Sequence, residues 1–562
     1  MIKRLTALNN QSWAFSAGLV LFFLMNSFTA LNLGIHYDEA YYWLYSQHPA
    51  FGYFDHPPMI SWLIHVGYGL FPGIVGLRIL IILLSTASAA IIWQLVKPYG
   101  KNPVLFWTLM YSILLIHPYS IIATPDAPLI FFSVLFLYAY RRFLIKQNGG
   151  NILFLALTTA LMFYSKYHAI LMLGFTILSN IKLLKKKAFW VVAGLFILFM
   201  LPHFSWQYQH HFDSFQYQLL DSHRTPYSPM VTISYIINQL LVTGPWLGWL
   251  FLYFLYTAKP TDQWEKAVQW TAGGTFLFFL LTTFSGDYEP HWTLIAMYPM
   301  LIIVYRKAIN EQKWQRWIIL SGIINFILLL IVRIILLTPL AQHIGALKTF
   351  SGWDKDSQTL RKELKHYPVL FQDTWNRAAR FAFYTDDGSV TGINSGIYRR
   401  NQYNIWKQYD RIVGDTVAVV SIDSTQFKNP TILKTNKATW YIKIFPDFHS
   451  YYSLKIRLLK QHNNGDQTLF HIQITNPYPE AVKLTTSDSV QFQLYRRYNG
   501  WQLINDWPLA SLSIPAGGSK IVTISFPTRQ IPQSPEGWIM LKTGLLKPLP
   551  DRIKINQTTE TE

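Results

Sequence analysis

The sequence predicts a polytopic α-helical membrane protein of about eleven spans, followed by an extracytoplasmic α/β region and a β-sandwich-like region. Most of the chain between residues 12 and 337 consists of apolar runs of about 20 residues, the length of a bilayer-spanning helix. The loops between these runs alternate between many and few Lys and Arg residues. From about residue 465 apolar and polar residues alternate, which is the period of a strand.

The first apolar run follows Met-Ile-Lys-Arg, as in a signal peptide. It is too long for a signal peptide, lacks a small-residue cleavage site and is followed by many more runs, so we interpret it as the first span. The predicted spans are 12–33, 74–96, 103–122, 127–145, 151–164, 168–184, 188–206, 230–257, 267–285, 290–305 and 317–338.

The formal charge of +19 raises the question of nucleic-acid binding. With a cytoplasmic N-terminus, nearly all Lys and Arg of the helical part fall in cytoplasmic loops. The exceptions are Lys166 and Arg224, together with Arg78 near the outer start of the second span. This positive-inside bias explains much of the basic excess and predicts a multi-pass protein of the plasma membrane (bacterial inner membrane) without a nucleic-acid partner.

The chain after the last span is expected outside the cytoplasm. It contains no Cys, so disulfides and thiolate chemistry are excluded there and elsewhere. A strand and a helix are predicted around 367–382 and a further strand at 415–421, whereas the later residues resemble a small antiparallel sandwich. The predicted domains are 1–340 (membrane), 341–464 (α/β) and 465–562 (sandwich).

Two clusters that contain acidic residues lie in the first outer loop, Asp38-Glu39 and Asp55-His56. Asp38 precedes a short aromatic helix and Asp55 precedes Pro57-Pro58, so each Asp is expected at a helix start. One interpretation is that both residues are simply N-caps. The other is an active site, because a helix N-terminus keeps a carboxylate ionised, as a general base requires.

Aromatic residues crowd the same loop, and we interpret most of them as an interfacial belt, some of which could also line a sugar site. They are Tyr37, Tyr41, Tyr42, Trp43, Tyr53, Phe54 and Trp62.

The later outer loops add further candidates. Asp126 lies between two prolines, which favours either a turn or a directed carboxylate. Lys166 interrupts an apolar stretch and needs a partner, either a phosphate group or an outer carboxylate; Arg78 and Arg224 raise the same question, with snorkelling as the alternative. Glu289 and His291, with Asp55 and His56, could bind a divalent cation, but they lack ligand spacing and we assign no metal site.

In order, these motifs resemble the polytopic GT-C glycosyltransferases. The similar stretches are His-Tyr-Asp38-Glu39-Ala-Tyr-Tyr, Phe-Asp55-His56-Pro57-Pro58, Thr-Pro-Asp126-Ala-Pro, Ser-Lys166-Tyr and Glu289-Pro-His291-Trp. More narrowly, residues 10 to 420 resemble the protein-mannosyltransferase and aminoarabinose-transferase group, glycosyltransferase family 39 and its relatives. The chain departs from aminoarabinose transferase at His56 and Tyr41, where that enzyme has Lys and Arg.

The resemblance implies transfer of a sugar from a polyprenyl-phosphate carrier to a lipid, glycan or protein acceptor at the outer membrane face. It implies that Asp38 is the catalytic acid–base residue and that Lys166 binds phosphate. Arg78 and Arg224 are further expected phosphate ligands, on the ground of their position at the outer face alone. Substrate contacts are expected from Glu39, Asp55, His56, Asp126, Glu289 and His291. A membrane-embedded enzyme suits a donor with a long lipid tail.

Two other functions are compatible with the composition. A non-enzymatic lipid or glycan transporter would place ionisable residues at mid-bilayer on broken helices, whereas here they gather in outer loops. Alternatively, the outer region could be a glycan-binding module that only tethers partners. The sugar, the acceptor and the oligomeric state do not follow from the sequence.

Overall fold

A computed structural model describes residues 2–218, 227–286, 288–485, 490–498, 500–532, 536–544 and 546–555. The chain forms two compact units, Met1–Ser351 and Gly352–Glu562. The first unit is helical and the second is rich in β-structure.

The helices of the first unit follow the predicted apolar runs. They are α1 (Ile2–Asn32), α2 (Tyr37–Gln47), α3 (Met59–Leu70), α4 (Ile74–Val96), α5 (Pro103–Ser112), α6 (Asp126–Ile145), α7 (Gly149–Ser165), α8 (Ala169–Ser179), α9 (Lys187–Gln209), α10 (Asp213–Gln216), α11 (Pro229–Val242), α12 (Gly248–Thr257), α13 (Gln263–Thr282), α14 (Leu294–Ala308) and α15 (Gln312–Leu336).

Within the part of the chain that the structure describes, five helices are long and apolar enough to cross a membrane, and all of them lie in this unit. They lie in α1, α4, α6, α9 and α15, and shorter apolar helices accompany them. Every residue of α14 from Leu294 to Tyr305 is buried, so this helix runs through the centre of the unit. A polytopic membrane protein is therefore confirmed.

Two predicted spans are broken. The run 103–122 is helical only in α5 and continues as short 3-10 turns, Leu114–Ile116 and Pro118–Ser120. The run 230–257 is divided between α11 and α12, where Gly244 adopts a φ of +128° and Pro245 follows. A Cβ on Gly244 would lie 2.6 Å from the Ser112 carbonyl oxygen, so this break packs against the end of α5.

The second unit begins with an open sheet flanked by helices. Its elements are α16 (Trp353–Leu364), β1 (Val369–Gln372), α17 (Trp375–Thr385), β2 (Val390–Ile393), α18 (Gln402–Trp406), β3 (Val417–Ser421), β4 (Thr431–Lys434) and β5 (Thr439–Phe445). The strand order is β2-β1-β3-β5-β4, in which the first three strands are parallel. The strand and helix predicted around 367–382 and the strand at 415–421 are thus observed.

The remaining strands form smaller antiparallel sheets. They are β6 (Lys455–Asn464), β7 (Gln467–Thr475), β8 (Val482–Leu484), β9 (Gln491–Tyr498), β10 (Gly500–Pro508), β11 (Leu512–Ile514), β12 (Ser519–Pro527), β13 (Gly537–Lys542) and β14 (Arg552–Lys554). The sheet orders are β10-β9-β13-β14, β12-β7-β6 and β11-β8.

The predicted boundary at 464/465 falls inside the β6–β7 hairpin, because β6 pairs with β7 along its length. Alternation was recognised in the second strand of this hairpin and not in the first. The α/β and sandwich parts also share one apolar core, in which Leu370 and Ile393 pack in the same cluster as Phe470 and Leu494. They are therefore two parts of one compact unit.

Candidate active site

The first turn of α2 separates the roles of its two acids. His36 is the N-cap, and its side chain accepts a hydrogen bond from the Asp38 backbone N–H. Glu39 completes a capping box by accepting from the His36 backbone N–H at 2.9 Å. Asp38, at the second helical position, is therefore not the cap. Its carboxylate is 32% exposed and lies 3.4 Å from His36 Nδ1, the atom that accepts from the Asp38 backbone N–H.

Glu39 forms a buried, two-pronged pair with Arg78 of α4, and we call this pair the Arg78 clasp. Arg78 Nε donates to Glu39 Oε1 at 2.7 Å and a terminal nitrogen donates to Oε2 at 2.5 Å. The other guanidinium hydrogens donate to the carbonyls of Ala30, Leu33 and Gly34, and both charged side chains are completely buried. The fork geometry thus uses all five donors of Arg78 within the protein.

Asp55 is held by two tyrosines of α2. Tyr41 and Tyr45 each donate a hydroxyl hydrogen bond to Asp55 Oδ2 at 2.9 Å. The N-cap of α3 is Pro58 without a side-chain hydrogen bond, so Asp55 does not cap that helix. The interfacial-belt interpretation is wrong for several of these aromatics: Tyr41, Tyr42, Trp43, Tyr53 and Phe54 are at most 6% exposed and form the packing of the loop itself.

Lys166 contacts a carboxylate, one of the two partners proposed for it. Its Nζ lies 2.8 Å from Asp126 Oδ1 and 2.9 Å from Oδ2, and both residues are buried. Asp126 is the first residue of α6 and Lys166 directly follows α7, so two helix ends place the pair. His291 Nε2 lies 3.9 Å from Asp126 Oδ2.

His56 lies where these groups meet. Burial and the neighbouring Lys166 ammonium lower the pKa of His56 to about 4, although the negative charges of Asp55, Asp126 and Asp38 act in the opposite direction. The centroid of the His56 ring lies 5.8 Å from that of Tyr42, and the two rings are tilted by 59°. His56 is thus neutral at physiological pH and can donate or accept a hydrogen bond.

Tyr119 and His291 close the other side of the cluster, with ring centroids 5.6 Å apart. Tyr119 interacts electrostatically with Asp126, Asp38 and Glu289, and His291 interacts with Lys166, Asp126 and Asp38. The acids of three separate loops are therefore neighbours of one another. Such a group of an available carboxylate, a buried cation and neutral imidazoles can move a proton and neutralise a phosphate.

A model of the dolichyl-phosphate-mannose-protein mannosyltransferase family matches residues 55–206. The lipid A galacturonosyltransferase RgtD of Rhizobium johnstonii is 24% identical over 301 residues, which is 51% of this chain and 63% of that relative. Two crystal structures of ArnT from Cupriavidus metallidurans, apo and bound to undecaprenyl phosphate, share the fold. Their TM-scores are 0.56 and 0.55, at 11% identity.

The matches confirm the resemblance to GT-C glycosyltransferases of the protein-mannosyltransferase and aminoarabinose-transferase group. The apo ArnT match covers 78% of this chain and 98% of ArnT, and the lipid-bound match covers 77% and 97%. The alignment with RgtD spans slightly less than two thirds of that relative's length.

Within this GT-C fold, most of the predicted site residues converge, whereas the predicted substrate contact Glu39 and the predicted phosphate ligand Arg78 bind each other. Asp38, Asp55, His56, Asp126 and Lys166 form the cluster, together with Glu289 and His291. Arg78 instead faces Glu39, with no donor left for a ligand. Arg224 lies outside the described residues.

No group of three or more His, Asp or Glu side chains suited to holding a metal ion occurs among the residues that the structure describes. His56 and His291 are both near Asp126 but are arranged around Lys166, whose positive charge opposes a cation at this point.

Sequence reasoning did not assign Tyr45, Tyr119 or His168 to the site. His168 stacks between Phe279 and Trp292 and interacts electrostatically with Lys166 and Asp126. Its position two residues after Lys166, in the break between α7 and α8, was the available signal. The sequence signal for Tyr45 was weaker: this residue lies four residues after Tyr41, on the same face of α2.

Proposed function

We propose that the chain is a membrane glycosyltransferase that moves a hexosyl or pentosyl group from an undecaprenyl-phosphate-type donor to a lipid acceptor. The names of the relatives support this proposal: RgtD is described as acting on lipid A, and ArnT was crystallised with undecaprenyl phosphate. A glycan or protein acceptor is the alternative. In this proposal about eleven spans cross the inner membrane, and the site and the second unit are extracytoplasmic.

The observation that carries the proposal is the partly exposed carboxylate of Asp38, in the cluster that also holds the buried Lys166 cation. Asp55 accepts two tyrosine hydroxyls and Asp126 accepts the Lys166 ammonium. Asp38, by contrast, is partly exposed, and the ring nitrogen of His36 beside it accepts a hydrogen bond from the Asp38 backbone N–H. We therefore assign Asp38 as the general base that removes the acceptor proton.

The reaction we propose is a single inverting displacement. The acceptor oxygen or nitrogen loses its proton to Asp38 and forms a bond to the anomeric carbon. The bond between that carbon and the phosphate oxygen breaks, and the phosphate leaves with the electron pair. Lys166, with His56 and His291 as uncharged donors, stabilises the departing charge. We keep Arg224 as a further candidate phosphate ligand.

An apolar groove supports a lipid-linked donor. One cavity of about 280 Å³ lies between α6, α7, α8 and α9, and a second of about 360 Å³ lies between α7, α8 and α9. Leu173 and Phe196 line both, so the cavities are neighbours along one face. The second ends at Tyr167, the residue after Lys166. We propose that the polyprenyl tail lies along this groove with its phosphate at Lys166.

Purified Asp38→Asn protein, assayed with a radiolabelled polyprenyl-phosphate sugar, is expected to lose transfer by at least about 100-fold, the usual contribution of a general base. Donor binding and thermal stability should remain, because Asp38 makes no buried contact. Glu311→Gln is the matched control, since Glu311 pairs only with Lys307 at a partly exposed position.

Normal transfer by Asp38→Asn would contradict the assignment of the base. In proteoliposomes, movement of the intact lipid across the bilayer without sugar transfer would instead support the transporter alternative.

A further inference from the structure

The sheet β10-β9-β13-β14 has one face in the core, and its other face is covered at Gln493 and Met540 but accessible around Arg497, Trp501, Trp538 and Lys554. Phe492, Leu494, Ile539, Leu541 and Ile553 point into the shared core and are at most 7% exposed. The residues that alternate with them point outward. We call six of these outward residues the aromatic–cationic face: Tyr495, Arg497, Trp501, Trp538, Arg552 and Lys554.

The strand register brings these side chains together. Trp501 lies opposite Arg497, and Trp538 lies opposite both Tyr495 and Lys554. The Trp501 and Trp538 ring centroids are 6.0 Å apart at an angle of 67°. Both rings are partly exposed and stand on a hydrogen-bonded sheet, so their positions are fixed by the backbone.

Cations surround both indoles. The Arg552 guanidinium carbon lies 4.9 Å from the Trp538 centroid and 5.4 Å from that of Trp501. Arg497 lies 5.3 Å from Trp501, and Lys554 lies 5.8 Å from Trp538. Among the residues that the structure describes, Arg497 and Lys554 form no ion pair with a carboxylate. The face is therefore positive and complementary to an anion.

We propose that the aromatic–cationic face binds an acidic saccharide that carries uronate or phosphate groups. Indole rings offer flat apolar area to the C–H faces of sugar rings, and Arg and Lys bind carboxylate and phosphate. An anionic membrane surface is the other class of partner with this charge. Insertion into lipid needs protruding apolar groups, whereas Tyr495 is buried and both indoles are only partly exposed and have cations within 6 Å of their rings.

The test uses the full chain in a neutral detergent and measures binding by calorimetry. The probes are a galacturonate hexasaccharide and a de-acylated, phosphorylated glucosamine disaccharide. Maltohexaose is the neutral control, and a polyglutamate of the same charge controls for unspecific attraction. We expect binding of at least one acidic saccharide, no binding of maltohexaose and at least tenfold weaker binding of polyglutamate.

The variants place the binding on this face. Trp501→Leu and the double variant R497Q/K554Q are expected to weaken binding at least tenfold, whereas W507L on the same strand and R457Q on β6 should not. The charge variant removes only exposed side chains, so it keeps the test valid if Trp501→Leu misfolds.

Failure of both acidic probes to bind would overturn the proposal, as would equal binding by the R497Q/K554Q variant. Binding that appears only with phosphatidylglycerol vesicles, and depends on the same residues, would replace it with a membrane-docking role. The Asp38→Asn variant should bind the saccharide normally, so this result is independent of the proposed transfer reaction.

Discussion

The Lys166 ammonium lies 2.8 Å and 2.9 Å from the two carboxylate oxygens of Asp126, and the pair is buried where the start of α6 meets the end of α7. Neither charge is compensated by bulk water, so each depends on the other. A donor phosphate that binds here must share the Lys166 ammonium with Asp126 or displace the Asp126 carboxylate from it.

Removing one member of this pair should cost stability and activity together. Lys166→Met is expected to lower the free energy of unfolding by about 3–5 kcal/mol, because Asp126 is left as an unpaired buried charge. The double variant K166M/D126N should recover most of that stability but not transfer, because the cation for the leaving phosphate is still missing.

Thermal unfolding and donor KM measured on the same preparations distinguish these effects. Lys166→Arg, which keeps the charge, is the control. Recovery of transfer in the double variant would show that Lys166 is only a structural partner of Asp126.

The Arg78 clasp predicts a structural role for Arg78 rather than phosphate binding. Arg78→Lys offers three donors in place of a five-donor fork, so some of the carbonyls of Ala30, Leu33 and Gly34 and the oxygens of Glu39 lose their partners. We expect a loss of more than about 3 kcal/mol of stability, since bonds to charged groups contribute about 1.5–3 kcal/mol each.

The measurement is the yield and the thermal midpoint of folded protein in detergent. R142K is the matched control, because Arg142 is exposed and donates to the Asn151 side chain rather than to a buried carboxylate. An Arg78→Lys protein of normal stability and raised donor KM would support the phosphate role instead.

The hydrogen bonds from Tyr41 and Tyr45 to Asp55 lead to a further prediction. Replacing both Tyr41 and Tyr45 by Phe removes two hydroxyl donors from a buried carboxylate, and each buried group without its partner costs about 1–3 kcal/mol. Single variants should be milder. The unfolding free energies of Y41F, Y45F and the double variant form a cycle, with Tyr256→Phe at an exposed position as the control. Full stability in the double variant would argue against this support of the loop.

His56 predicts how stability depends on pH. The pKa of His56 is about 4 in the folded protein and 6.5 ordinarily. Between these two pH values the unfolded chain binds a proton on His56 that the folded chain does not bind. The contribution of neutral His56 to the free energy of unfolding is full above pH 6.5 and is lost as the pH falls toward 4. The thermal midpoint of His56→Gln should therefore fall less steeply across this interval than that of the wild type.

His343→Gln is the control for this measurement, because His343 is exposed. Identical slopes for His56→Gln and the wild type would contradict the buried, neutral state of His56.

The sequence was most informative where chemistry and local structure coincide. Asp38 was recognised because it stands at the start of a helix, Asp126 because two prolines flank it, and Lys166 because a cation interrupted an apolar run. The same local logic predicted the short helices α2 and α3. It also predicted that Lys166 needs a partner, although both an acid and a phosphate remained open.

Contacts between distant elements could not be read from the sequence. The Arg78 clasp joins residues 39 positions apart, and only the packing of α1, α2 and α4 brings them together. Likewise, Tyr41 was interpreted as part of an interfacial belt, and only the fold shows that Tyr41 and Tyr45 both donate hydrogen bonds to Asp55. The breaks in two spans depend on the approach of Gly244 to α5, which hydropathy does not report.

The Arg78 clasp also has a consequence for substrate entry. It ties the end of α1 to the first turn of α2, and Glu39 accepts a further hydrogen bond from the Ala123 backbone N–H. Because this segment is anchored at three points, moving it aside would expose the charges of Arg78 and Glu39. For the proposed reaction we therefore expect the lipid-linked donor to reach the site along the groove between α7, α8 and α9 rather than past this segment. Turnover should accordingly follow the mole fraction of donor among the surrounding lipids rather than its amount per volume of solution.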